Sequence, residues 1–126
     1  MAKKVIFVDD SATVLMSVDM ATEELVSNGT IEVETYSNPE ILLEDIKNGK
    51  DYDLLVTDIN MPQLSGFELA IEVKKINKTK PIIALTTENT SDMKMKGKEA
   101  GIIGWITKPF SEGKVIMAIK RVLRIR

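Results

Sequence analysis

The chain has 126 residues and a formal net charge of −2, with 44% hydrophobic and 29% charged residues, the size and balance of one domain with one real core. It contains no cysteine and no histidine, which excludes disulfides, thiolate or imidazole metal sites, thiol nucleophiles and phosphohistidine chemistry on this chain. Chemistry is left to carboxylates, hydroxyls, lysines, backbone groups and a hard, oxygen-liganded metal ion.

The charge is unevenly placed: residues 1–63 hold thirteen Asp/Glu against four Lys/Arg, and residues 64–126 hold six against thirteen. An acidic chain predicts no nucleic-acid binding, while the basic half suits an acidic partner. Val5-Ile6-Phe7-Val8 is too short for a signal peptide or a membrane span, so the reading is a soluble, cytoplasmic protein without membrane insertion. No linker, repeat or composition break divides the chain, which predicts a single domain over 1–126.

In chain order, Val5 to Val8 predicts a strand buried on both faces of a parallel sheet. Val14, Val18, Ala21 and Leu25 recur at helical spacing, and Asn28-Gly29 closes that helix. Ile31-Glu32-Val33-Glu34 alternates, as an edge strand does. Asn38-Pro39 reads as N-cap and first helical residue ahead of Ile41, Leu42 and Ile46, with Asn48-Gly49 at the end. Leu54-Leu55-Val56 predicts a buried strand, and Ser65-Gly66-Phe67-Glu68 a capping box opening a helix through Ala70, Val73 and Ile76. Pro81 leads the strand Ile82-Ile83-Ala84-Leu85. Residues 90–100 predict a weak helix, interrupted by Gly97. Ile102 to Thr107 reads as a last strand, and Ser111 caps a helix with Val115, Ile116, Ile119 and Val122 on one face. Five strands alternating with five helices predict an α/β fold, a flavodoxin-like (βα)5 sandwich of strand order 2-1-3-4-5 with helices on both faces.

In such a sheet ligands bind beyond the carboxyl ends of the strands. There the sequence puts Asp9-Asp10 after the first strand, Asp58 after the third, Thr86-Thr87 at the fourth and Lys108-Pro109 after the fifth. Singly each has a bland reading: a solvated turn favouring a helix dipole, a cap, a strand end, a surface lysine. Together, on four adjoining strand ends, they suit phosphoryl chemistry. Three carboxylates on one rim repel one another, and a divalent cation with oxygen ligands, Mg²⁺ or Mn²⁺, compensates. A carboxylate beside it can attack phosphorus to form an acyl phosphate, Lys108 can pair with the transferred group, and the Thr86 hydroxyl can hydrogen-bond it.

The stretches FVDDS, VTDINMPQLSG, PIIALTTEN and AGIIGWITKPF resemble, over essentially the whole length, a response-regulator receiver domain of two-component signalling, most closely the stand-alone CheY-like chemotaxis type. The resemblance implies that Asp58 accepts a phosphoryl group from the phosphohistidine of a sensor histidine kinase. It implies Mg²⁺ on Asp10, Asp58 and the backbone carbonyl of Asn60, with Asp9 acting through a water. It further implies that Thr86 and Lys108 contact the phosphoryl group and that the Lys108-Pro109 bond is cis. Trp105 stands where such domains carry a mobile aromatic, usually Tyr or Phe. Asn60 and Glu88 occupy positions that influence how fast the phosphoryl group is lost.

A switch follows: Thr86 moves toward the new dianion, Trp105 turns inward, and the helix at 90–100, loosened by Gly97, shifts. The face at 90–126, with Lys94, Lys96, Lys98, Lys114, Lys120 and Arg121, is expected to meet an acidic segment of a downstream protein such as a flagellar switch protein. No output domain fits, so the expected readout is protein binding by a switch that catalyses only its own phosphotransfer and dephosphorylation. The alternative is a phosphate sink or phosphorelay intermediate for a shared kinase. A haloacid-dehalogenase-type phosphatase would carry Asp where Asn60 stands, a flavodoxin would carry a hydroxyl- and glycine-rich loop in place of Asp9-Asp10, and no GxGxxG or GxxxxGK[ST] pattern occurs.

Overall fold

In the computed structural model, which describes residues 2–125, five apolar runs pair as parallel strands: β1 (Lys3–Val8), β2 (Ile31–Tyr36), β3 (Leu54–Thr57), β4 (Ile82–Thr86) and β5 (Gly104–Thr107). Residues 1 and 126, the ends of the expected domain and of its 90–126 face, lie outside the described residues. The strand order is β2-β1-β3-β4-β5, as the alternation predicts. The crossovers are α1 (Ala12–Ser27), α2 (Pro39–Lys47), α3 (Gly66–Ile76) and α4 (Ser91–Glu99), and α5 (Glu112–Leu123) follows β5. The sheet separates two apolar layers, because successive side chains on a strand point to opposite faces. Ile6, Val8, Leu55, Ile82 and Ala84 pack with Leu42, Ile46, Leu69 and Val73 of α2 and α3. Val5, Phe7, Leu54, Val56, Ile83 and Leu85 pack with Val18, Leu25, Val115 and Ile119 of α1 and α5. Register aligns Val8 with Thr57 and Thr86 with Thr107, so the strands end at a common rim.

The helices start on side-chain caps. Ser11, Asn38, Ser65, Thr90 and Ser111 each accept a backbone N–H of the first turn, and Ser65 with Glu68 forms the expected reciprocal box. At the end of α4, Gly101 takes φ +98°, its N–H meets Lys98 O at 3.1 Å, and Ile102 N–H meets Gly97 O at 2.9 Å, a Schellman stop. That stop corrects the expected start of the last strand. Ile102 belongs to the helix terminus, and β5 begins at Gly104. Ile41 and Ile76, among the apolar residues that mark α2 and α3 in the sequence, are 56% and 42% exposed, while Leu42, Ile46 and Val73 cover the sheet. Gly97 does not interrupt α4, whose single buried residue it is. Among the described residues, no helix is long and apolar enough to cross a membrane.

Candidate functional site

Backbone pairing carries two aspartates onto the rim. Asp9, one residue past β1, donates its N–H to Tyr36 O at 3.0 Å, and Asp58, one past β3, donates to Val8 O at 2.9 Å. Asp9 is 2% exposed and Asp58 7%, while Asp10 faces solvent. Lys108 follows β5, donates its backbone N–H to Thr86 O at 2.8 Å, and precedes Pro109 across the expected cis bond. Its ammonium crosses the sheet end to Asp9 Oδ2 at 2.6 Å and stands 3.5 Å from Asp58 Oδ2. Asp9 Oδ1 accepts the N–H of Ser11 at 2.9 Å, and Asp58 Oδ1 accepts that of Ile59 at 2.7 Å. The structure thus brings Asp9, Asp58 and Lys108 from three strand ends into one bonded cluster.

One carboxylate oxygen each from Asp9, Asp10 and Asp58 lies within 4.8 Å of the others. Burial, and then the charge of Asp9, hold the Asp58 carboxyl above its usual range; Lys108 and the Ile59 N–H oppose this, and Asp10 adds to it. One ammonium facing three carboxylates leaves negative charge uncompensated. The all-oxygen donor set fits a hard divalent cation such as Mg²⁺ or Mn²⁺.

Beside this cluster, Glu88 joins three of the other sequence-predicted residues. Its N–H donates to the fully buried Thr86 hydroxyl at 3.2 Å, its carbonyl accepts from Trp105 Nε1, and its carboxylate accepts from Asn60 Nδ2 at 3.0 Å. Thr87 lies past β4 and is exposed, lining a shallow cleft with Lys108, Pro109 and α1 residues Thr13 and Ser17. Trp105 is half-buried, and its ring lies on Gly97, where an added Cβ would stand 2.7 Å from Cζ3. The glycine is therefore a close-approach residue between helix and ring. A lone glycine inside a helix, one element before an aromatic strand residue, was the available signal. Lys96, expected on the free basic face, places its ammonium 4.9 Å from the centroid of the Phe67 ring. Two further features escaped sequence reading: the buried Thr57 hydroxyl, which donates to Asp58 O at 2.7 Å, and Gly66, where a Cβ would strike that same carbonyl oxygen.

A family model described as the response regulator receiver domain matches residues 5–120. The sensor histidine kinase CheAY of Helicobacter pylori is 41% identical over 86 residues, covering 66% of this chain and 11% of that protein. The phosphate regulon transcriptional regulatory protein PhoB of Pseudomonas aeruginosa is 34% identical over 124 residues, covering 97% and 52% respectively. The chain thus spans about half or less of the length of these curated relatives. The chemotaxis protein CheY4 of Vibrio cholerae superposes with a TM-score of 0.87 at 32% identity, covering 98% of this chain and all of that one. With three aspartates at its rim and this match, the chain belongs to the response regulator receiver domain family. Receiver domains of this family are signalling switches that bind Mg²⁺ at an acidic pocket, and the cluster of Asp9, Asp10 and Asp58 is such a pocket here.

Proposed function

We propose that this receiver takes its phosphoryl group on Asp58 and signals through the Trp105 face in chemotaxis. The observation that carries the reading is the bonded cluster of Asp9, Asp58 and Lys108, drawn from β1, β3 and β5. Asp58 Oδ1 is occupied by the Ile59 N–H, so Oδ2 supplies the attacking pair. The Oδ2–P bond forms and the P–N bond of a kinase phosphohistidine breaks. The bonding electrons stay on the imidazole nitrogen, which is free to take a proton from water. Lys108, 3.5 Å from Oδ2, pairs with the arriving oxygens. Asp10, Asp58 and the Asn60 backbone carbonyl would hold Mg²⁺, or Mn²⁺ in its stead, with Asp9 acting through a water, and the ion would supply positive charge for those oxygens.

Thr86 accepts from Glu88, which leaves its own O–H proton available for a phosphoryl oxygen. Any such movement pulls on Glu88, and Glu88 holds Trp105. Two grooves flank that tryptophan, one lined by Lys94, Lys98 and Ile103, the other by Lys114, Met117 and Arg121. Basic rims around apolar floors suit an acidic helix or segment of a target, with a flagellar switch protein as the candidate. Similarity to CheAY and CheY4 supports a chemotaxis-type kinase as donor, and a cytoplasmic location follows from that partner.

The test is transfer of labelled phosphate from an autophosphorylated chemotaxis kinase. Acid-labile, alkali-sensitive label is expected on the wild-type chain and none on Asp58→Asn. Undiminished label on that variant refutes the assignment.

A further inference from the structure

We infer that Thr57 is a positioning residue that selects which oxygen of Asp58 reacts, an inference that rests on the reading of Asp58 as the acceptor. Thr57 is wholly buried in β3, in register with Val8 on one side and Ala84 on the other. The bland account of such a threonine is a β-branched strand residue with its hydroxyl satisfied nearby. The partner it uses says more. Its hydroxyl donates to the carbonyl oxygen of Asp58 at 2.7 Å. That carbonyl and the Ile59 N–H are the two ends of one planar peptide, and the N–H end donates to Asp58 Oδ1 at 2.7 Å.

Fixing the oxygen end of the plane therefore fixes the N–H end. A hydrogen bond accepted at the carbonyl also strengthens the N–H as a donor. Gly66 restricts the same peptide from another element, since any Cβ there would strike the Asp58 carbonyl oxygen, and its own N–H holds Ile59 O at 2.8 Å. Oδ1 is thereby engaged from the chain's own backbone, and Oδ2 is left toward Lys108. Valine has the shape of threonine without the hydroxyl, so Thr57→Val frees the peptide to tilt while keeping the β-branch.

The experiment compares wild type, Thr57→Val and Thr57→Ser in the full chain, using labelling from acetyl phosphate with Mg²⁺ and the NMR signal of the Ile59 amide proton. Thr57→Val is expected to lower the maximal labelling rate about tenfold, the worth of one buried hydrogen bond. Its Ile59 amide proton moves upfield and exchanges faster, and serine restores both readouts. Wild-type labelling in Thr57→Val with an unmoved Ile59 amide overturns the inference, as does equal slowing in the valine and serine variants. Should the valine variant not fold, the wild-type protein decides alone, because an Ile59 amide that exchanges like an exposed loop overturns it. Label persisting on Asp58→Asn instead removes the acceptor reading beneath.

Discussion

Replacing Gly97 by alanine tests whether α4 and β5 meet through the Trp105 ring. Two effects oppose each other. Alanine favours a helix over glycine by about 0.8–1 kcal/mol, so a glycine that only weakened α4 would give a variant melting roughly 4 °C higher. The new Cβ, however, would lie 2.7 Å from Trp105 Cζ3 and 3.5 Å from both Cε3 and Cη2, the first about 0.8 Å inside a carbon–carbon contact. The helix backbone cannot retreat, but the edge of the ring can. As it swings out, the bond from Nε1 to Glu88 O is lost, at about 0.5–1.5 kcal/mol, and the overpacking adds roughly 1–3 kcal/mol. After the propensity gain, the variant is destabilised by roughly 0.5–3.5 kcal/mol, a fall in Tm of about 2 °C or more. Trp105 is the sole tryptophan, so its emission moves to the red and acrylamide quenches it more readily. A variant that melts higher with unchanged emission refutes the contact.

Asp58→Asn is expected to raise the Tm of the metal-free protein at neutral pH. Burial and Asp9 raise the Asp58 carboxyl, so its protonated form favours the fold below the unfolded value of about 3.9, and that contribution is lost as pH rises through the folded value. The advantage of asparagine therefore appears above the folded value and vanishes in acid; a thermal scan showing the same difference at every pH contradicts the electrostatic cause. Lys108→Ala leaves the buried Asp9 carboxylate without its counter-charge and is expected to cost roughly 2–3 kcal/mol, partly recovered by saturating Mg²⁺; an unchanged urea midpoint argues against the pair. Asn60→Ala and Glu88→Ala each break the same bond between the β3–α3 and β4–α4 loops. Each is expected to speed loss of the phosphoryl group by up to several-fold, and the double variant no further, since both remove one interaction of about 0.5–1.5 kcal/mol; additive acceleration in a dephosphorylation time course refutes their acting as a unit.

What the sequence made legible was local or alternating. Asn38-Pro39, Ser65 with Glu68, and Ser111 announce helix starts because a cap and its partner lie within one turn. Apolar runs on β1, β3 and β4 fix a doubly covered sheet, and the sheet in turn predicts that Asp9, Asp58 and Lys108 converge. The features that escaped depend on contacts between elements. Gly97 reads as a helix defect until the Trp105 ring is seen on it. Thr57 reads as an ordinary strand threonine because nothing in the sequence says which carbonyl its hydroxyl will choose. Ile41 and Ile76 carry the helical period but reach solvent, since apolar character does not exclude a residue from the surface.

The strand order has an electrical consequence. β2, β1 and β3 come from the stretch with thirteen acids and four bases, β4 and β5 from the stretch with thirteen bases and six acids, so opposite edges of the sheet bear opposite sign. The boundary between the two stretches falls between β3 and β4, whose carboxyl ends lie on the rim where phosphoryl transfer is proposed. An incoming charged molecule feels this gradient within a Debye length of about 8 Å at physiological salt and is rotated before contact. Orientation on approach is thus built into the topology itself, and added salt should slow the encounter of an acidic protein far more than that of a neutral one.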